Sequence, residues 1–503
     1  MPKITVVIAL SIIGVFSAQA NDKTSIDTFL DIYLRDNPAE VPDHIFMRRA
    51  YFDIWGLPPL ENEIDEFLND HSPNKREKLI DHLLADKNNY TEHWISFWND
   101  HLRNDEETVY HGDRASITPW LKISLENNMP YDKFVSSLLN PADNGPDGPA
   151  GFLTGVNWRG QFSPSQSPVM QAAQNSAQVF LGINLKCNSC HDSFISKWKL
   201  EDAYGLAAFF TAEDPEIYRC DISMGKKATP KFIFPELQKE PIGQTLQERR
   251  EAIARLFTDR NNNNFARTIV NRIWKRLIGR GLVEPVDDVS AKSWNPELLD
   301  WLSKDFIENN YDLKFLIRRI MTSRAYQIPT TDSVESSNYI FNGPSLRKLT
   351  AEQYMDALNM ITSGQNQKTT GAELDIREWR KKTTPLTQLL GRPIRDRVIT
   401  GRDNQANTLQ AMEIVNGKIL ADIIKNRAGK MADESIKSHL KPLDTAKLLY
   451  RRALCRYPNK KETKIIKKYI DAKNIKQQPE GLMEFLEDII WTVILLPEFQ
   501  FIH

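Results

Sequence analysis

This sequence predicts a mainly α protein, a multi-helical chain of two domains with duplicated helical modules and long ordered loops. Three observations carry that prediction. Apolar residues recur at i, i+3, i+4 spacing in one segment after another, alternating apolar–polar runs are scarce, and short words return in the same order in the two halves. At 503 residues the chain exceeds what one core holds. With 41% hydrophobic residues, 11 Trp, 14 Tyr and 23 Phe it has ample apolar surface to offset ordering entropy, which excludes a disordered chain.

The first twenty residues are a separate object. Lys3 precedes an apolar run from Ile4 to Phe16, and Ser17-Ala18-Gln19-Ala20 follows. A positive start, an apolar centre and a small-residue site make a signal peptide cleaved after Ala20. The run falls short of the ~20 residues that span a bilayer, and no later segment is apolar enough to do so. A soluble mature protein in the periplasm or outside the cell is expected.

Residues 21–212 are expected to form an N-terminal helical domain, 213–244 a linker and 245–503 a C-terminal helical domain. In the first, Lys75 to Asp86 puts Leu79, Ile80, Leu83 and Leu84 on one face, and Ala172 to Leu185 reads as an amphipathic helix. Asp202 to Phe210 reads as a packing helix. Asn140 to Pro168, rich in Pro and Gly, reads as a long loop that Trp158 and Phe162 keep ordered. The linker carries Pro215, Pro230, Pro235 and Pro241. In the second domain Arg249–Phe257, Pro296–Asn309, Lys314–Met321 and Thr350–Ile361 show the helical period, the last with a Thr350-Ala351-Glu352 start that resembles a cap. Gly364 to Pro385 is polar and reads as a surface excursion.

The recurring words suggest duplication. Trp120-Leu121, Asn127-Asn128 and Tyr131-Asp132-Lys133-Phe134 return as Trp301-Leu302, Asn309-Asn310 and Tyr311-Asp312-Leu313-Lys314-Phe315. Upstream, Arg76-Glu77 to Trp98 is echoed by Arg250-Glu251 to Trp274, and Arg48-Arg49-Ala50 by Arg451-Arg452-Ala453. The only Cys-x-x-Cys lies outside these words.

Composition narrows the function. Sixty-five Lys+Arg against 66 Asp+Glu leave no net basic field for nucleic acid. Twenty-two Gly are few for a propeller or a Gly-rich nucleotide fold, and four Cys are too few for a disulfide scaffold. No Ser/His/Asp order, phosphate-binding Gly loop or His-Glu-x-x-His pattern occurs.

One motif carries chemistry: Cys187-Asn188-Ser189-Cys190-His191, the attachment pattern of c-type haem. Two thiols three residues apart on a turn can each form a thioether at one porphyrin edge, and the adjacent His then meets the iron as proximal ligand. Haem attachment outside the cytoplasm agrees with the leader. Met224 is a candidate distal ligand, with Met170, in the loop before the motif, as another. A redox dithiol, half of a zinc site and a local disulfide are the alternatives. Cys220 and Cys455 are left over and could pair. Arg272, Arg280, Glu284, Asp287 and Asp288 read as ion pairs locking a turn. Arg392, Arg395 and Arg397 form a basic segment that could receive an anionic substrate, against the plainer reading of a solvated or ion-paired loop.

Longer motifs add a resemblance. Arg49 to Pro59 (RAYFDIWGLPP), Asn128 to Phe134, Gln178 to Gly182 leading into Cys187, Lys197-Trp198 and Tyr204 to Phe210 resemble domain-of-unknown-function family 1549. Arg267 to Asp288, Glu297 to Trp301-Leu302, Thr322 to Tyr326 and Thr408 to Gly417 resemble family 1553. These are the paired planctomycete-cytochrome-associated families, and the resemblance covers nearly the whole mature chain. It implies a secreted protein with a cytochrome-like Cys-x-x-Cys-His in a polysaccharide-degradation setting, and no established reaction. Family members often carry a second His two residues after the first, where this chain has Ser193. Two readings follow. One is an exported c-type haem protein supporting electron transfer or an oxidation, with Cys187, Cys190 and His191 holding covalent haem c and a redox partner or glycan-degradation proteins as partners. The other is a haem-free helical binding or scaffold protein of a glycan-utilisation system, with Cys187 and Cys190 as a structural pair.

Overall fold

Helices fill both halves of the chain, as the apolar period predicts. The structure, a computed structural model, describes residues 25–34, 38–104, 117–142, 148–154, 163, 166–332, 339–363, 376–395, 397–402, 408–476 and 478–503. The leader, Trp158, Phe162 and residues 364–375 lie outside the described residues.

The chain opens with α1 (Ile26–Leu30), α2 (Asp43–Ile54) and α3 (Glu61–Asn69). Four helices follow: α4 (Lys75–Ala85), α5 (Lys87–Leu102), α6 (Thr118–Glu126) and α7 (Tyr131–Leu139). A segment with α8 (Gly151–Thr154), α9 (Pro168–Leu181), α10 (Leu200–Ala207) and the hairpin β1 (Glu216–Arg219)–β2 (Ile222–Lys227) comes next. A second run of four is α11 (Leu246–Phe257), α12 (Asn263–Ile278), α13 (Pro296–Glu308) and α14 (Leu313–Met321). Then come α15 (Arg324–Gln327), β3 (Arg347–Lys348), α16 (Ala351–Thr362), α17 (Pro385–Leu389), α18 (Thr408–Asn416) and α19 (Lys418–Lys437). The chain closes with α20 (Pro442–Leu454), α21 (Lys460–Lys473), α22 (Pro479–Leu495), α23 (Pro497–Gln500) and β4 (Phe501–Ile502), which pairs antiparallel with β3.

The two runs of four correspond in order and in contacts. In each run the second helix packs on the third, α5 on α6 and α12 on α13. Between runs the contacts are reciprocal: α4 meets α14, and α11 meets α7. The turn words match as well, since Asn128 and Asn310 both take positive φ, 47° and 56°. Asn tolerates that conformation better than most residues. The two turns touch, with Asn128 Nδ2 donating to Asp312 Oδ1 (2.8 Å) and Tyr131 N to the Tyr311 carbonyl (3.0 Å). Likewise α2–α3 and α20–α21 are two helix pairs that meet along α2 and α20.

Two apolar cores result. The first runs from Ile26 to Phe341 and takes in Val398 and Cys455; the second is built from residues 349–502 and takes in Phe52. Residues 213–244 are packed rather than free, with Ile217, Phe232 and Ile233 buried in the first core. Three local expectations are corrected. The helix expected over Ala172–Leu185 is Pro168–Leu181: the Ser167 hydroxyl accepts from Met170 N, and Gly182 at φ 61° ends it. Met170 therefore sits in that helix, not a loop, and is buried. The described part of 364–385 is exposed at Arg380, Lys382, Thr384 and Pro385 but pinned at one point, where Arg377 and Glu378 are buried against the Trp55 carbonyl and the Asp356 carboxylate. The cap on α16 pairs Thr350 with Gln353 rather than Glu352, each backbone N–H donating to the other's side chain.

Candidate functional site

The Cys-x-x-Cys-His segment is placed by what precedes it. A Cβ on Gly182 would stand 2.9 Å from Thr268 Oγ1 of α12, so only glycine lets the end of α9 lie this close. Buried Ile183 and Leu185 then anchor the chain, and Cys187–Ser189 forms a 3-10 turn in which Cys190 N and His191 N both donate to the Cys187 carbonyl (3.1 Å each). The two residues between the cysteines face inward. Asn188 is 1% exposed and donates through Nδ2 to the Trp198 carbonyl (2.5 Å), while Ser189 Oγ donates to the Lys186 carbonyl (2.7 Å). Anchoring them turns the thiols out: Cys187 is exposed and Cys190 half-buried, and both are free. α10 packs against this turn.

The histidine is half-buried, with Nδ1 2.7 Å from the Asp192 carbonyl. That contact makes Nδ1 the protonated nitrogen and leaves Nε2 as the lone-pair donor, the tautomer a metal-binding imidazole needs. Asp192 is itself held, accepting from Leu200 N (2.9 Å) and pairing with Arg219 (3.2 Å). Ser193, where the family often has His, organises the next turn by accepting from Ile195 N and Ser196 N. That turn leaves Phe194 90% and Ile195 96% exposed, with the Phe194 ring 4.9 Å from the imidazole. Ile222 and Met224 are exposed on β2.

The hairpin contributes the unforeseen neighbour. Cys220, at φ 45° in the β1–β2 turn, donates its backbone N–H to the Cys190 carbonyl (2.9 Å). A third thiol therefore stands beside the pair, and pairing with Cys455 is ruled out by position. Cys455 is wholly buried in the first core beside Arg48, and burial pushes its thiol up to about 12. Among the described residues no three His, Cys, Asp or Glu side chains converge as a metal-ion site. What the segment can do is offer two accessible thiols and one oriented imidazole from a rigid turn, a set that fits the proximal side of a covalently held porphyrin.

A second polar site lies between the two cores. Asp53 of α2 accepts from both terminal nitrogens of Arg347 (2.6 and 2.8 Å) and from the Tyr326 hydroxyl (2.7 Å). Asp100 of α5 accepts from Arg395 and Arg402, and Glu352 of α16 from Arg402 and Ser96. Burial opposes the ionisation of Asp100 and Glu352, yet the Arg402 guanidinium outweighs it and holds both below the usual carboxylate range. Asp356 is the opposite case. Burial outweighs nearby Arg377 and pushes its carboxyl up to about 7. The ion-paired reading of the basic segment is the observed one: Arg395 is buried on Asp100, Arg392 donates to the Glu378, Trp379 and Lys381 carbonyls, and Arg397 is exposed. Arg272 with Asp287 and Lys275 with Glu284 are likewise ion pairs. The sequence offered Arg392 and Arg395 of this site but not Arg347, Arg402 or their convergence on carboxylates, since Asp100 and Arg402 are 302 residues apart.

Comparison with known proteins agrees with these long motifs. Residues 25–214 match PSCyt2, a protein of unknown function (DUF1549), and residues 249–470 match PSD1, a protein of unknown function (DUF1553). Neither a curated protein nor a solved structure matches the chain significantly. The family boundaries and the cores do not coincide, since the first core takes in α11 to α14 from the second matched segment. By its two matched segments and their order, the chain belongs to the proteins that join an N-terminal DUF1549 domain to a C-terminal DUF1553 domain.

Proposed function

We propose that this is an exported c-type haem protein, with Cys187 and Cys190 as thioether anchors and His191 as proximal ligand, supporting electron transfer or an oxidation. The observation that carries the reading is the outward-facing thiol pair beside an imidazole whose Nδ1 is engaged and whose Nε2 makes no hydrogen bond among the described residues. The exposed Phe194 and Ile195 support it, because apolar side chains left this open are costly in water and suit an apolar macrocycle. The first family's label, PSCyt2, agrees in its cytochrome association. Haem held there supplies one-electron chemistry at iron. These residues would orient it: the Asp192 carbonyl fixes the imidazole, and the Asn188–Trp198 contact holds the turn. Met224, four residues beyond Cys220 on the hairpin, is the distal candidate. A redox partner outside the cytoplasm, in a glycan-degrading setting, completes the reading.

The test is a pyridine haemochrome spectrum of protein exported by cells with a working haem-attachment system. Covalent haem is expected, lost in the Cys187→Ser/Cys190→Ser double variant and spectrally altered in His191→Ala. Absence of covalent haem in the wild type contradicts the proposal.

One observation favours a second reading, the haem-free helical scaffold with structural cysteines: Cys220 is bonded through its backbone to Cys190. Peptide mapping without reductant separates the two. A disulfide at Cys190, to Cys187 or Cys220, supports the scaffold, and haem-bearing peptides support the cytochrome.

A further inference from the structure

The junction between the two cores holds an open cavity of about 100 Å3, remote in sequence from the cysteine turn. That is room for several waters or one tetrahedral oxyanion, since a single water needs only ~10–15 Å3 by this measure. Arg272, Lys275, Arg276, Arg347, Lys348 and Arg402 line it, against only Asp53 and Asp100. Carboxylates account for most of these cations. Asp53 takes Arg347, Asp100 and Glu352 take Arg402, Asp287 takes Arg272, and Glu284 takes Lys275.

Arg276 is different. Among the described residues it meets no carboxylate; its side-chain hydrogen bond is to the neutral His93 Nε2 (3.2 Å), and it lies over the rings of Trp94 and Phe97. Burial, with Arg402 and Arg347 nearby, depresses its pKa to about 10 despite Asp53 and Asp100, whose carboxylates are already paired with Arg347, Arg395 and Arg402. A guanidinium held among other guanidiniums in a buried wall is unfavourable unless an anion joins it. The opposite requirement is also present. His101, 3% exposed and lining the cavity, has Nδ1 on the Phe97 carbonyl (2.8 Å), and its Nε2 has no partner. Burial, with Arg272 nearby, keeps this ring neutral, so Nε2 is an acceptor awaiting a donor.

We infer that this cavity is a binding site for a tetrahedral oxyanion, a sulfate or phosphate group, free as the dianion or as the ester end of a larger ligand, with Arg276 as the residue that grips it. Guanidinium forks match such oxygens in pairs. A ligand hydroxyl would complete His101 Nε2, and Phe97, Ile399 and Ile502 supply the apolar remainder of the lining.

The test uses the full exported chain at constant ionic strength, titrated with sodium sulfate, sodium phosphate, acetate and chloride and followed by calorimetry and thermal melting. Saturable binding of sulfate or phosphate is expected, with acetate and chloride at least about tenfold weaker. Arg276→Gln should weaken the dianion by about tenfold or more, and Arg276→Lys should recover part of it. Should Arg276→Gln fail to fold, crystals soaked in selenate decide, with anomalous signal expected beside Arg276. Dianions no better than chloride, unchanged affinity in a folded Arg276→Gln, or selenate bound only elsewhere would each overturn the inference. A monosaccharide sulfate and a sugar phosphate, run beside the free ions, then distinguish an ester end from a free anion.

Discussion

Asp53 and Arg347 meet in a bidentate pair buried between the cores, with Tyr326 donating a third hydrogen bond to the carboxylate. Such a pair adds little net stability, but removing one partner strands the other charge. Asp53→Asn should therefore cost about 3–5 kcal/mol in urea unfolding; a loss within experimental error would show that the guanidinium finds water or another partner. Asp356 makes a prediction of the opposite sign. Its folded pKa near 7 lies above the ordinary 3.8, so between those pH values the folded state keeps a proton that the unfolded chain has released. Stability from this group is full below pH 4, falls as pH rises and levels off above pH 7, a loss of at most about 4 kcal/mol. Asp356→Asn should flatten that fall, and an unchanged pH profile would contradict the placement of the carboxyl. Neither residue announces itself in the sequence. Asp53 sits in a helical word among apolar residues, and its partner Arg347 follows 294 positions later.

At the scale of elements, much was legible. The apolar period located α4, α11, α13, α14 and α16, because a face repeating at i, i+3, i+4 has one way to be buried. Repeated words predicted a repeated module, and the reciprocal contacts α4–α14 and α11–α7 show what the repetition builds. Residues 140–244, which carry Cys187, Cys190 and Cys220, lie between the two modules in the sequence. What the sequence hid were helix ends set by tertiary neighbours, as at Gly182, where Thr268 and Val289 crowd the glycine. Gly182→Ala should cost about 1–3 kcal/mol from the positive φ, plus the crowding. It should also change the rate at which Cys187 reacts with a thiol reagent, since the turn hangs from that helix end. A variant equally stable and equally reactive would remove the helix end as the device that places the site.

The whole molecule is two cores laced together rather than two beads on a linker. Phe52 of α2 belongs to the second core, Cys455 at the C-terminal cap of α20 to the first, and Arg48 on α2 donates to the Ala453, Phe499 and Phe501 carbonyls. The word Arg48-Arg49-Ala50 was readable as a repeat, yet its role as a clamp on backbone more than 400 residues away was not. The balance of charge spoke only against a net basic field over the chain, and concealed that cations crowd the cavity between the cores. Thermal unfolding should be a single calorimetric transition in the wild type and separate into two in Asp53→Asn, which loosens the seam; two transitions already in the wild type would contradict the lacing. The turn at Cys187 is where the proposed haem would be held, and the intact mass, under denaturing conditions, of the chain exported with haem attachment working decides the matter. The mass of the mature polypeptide plus one haem is expected, reverting to the bare chain when Cys187 and Cys190 are both replaced; a wild-type chain at its bare mass with free or disulfide-bonded cysteines would contradict the proposal.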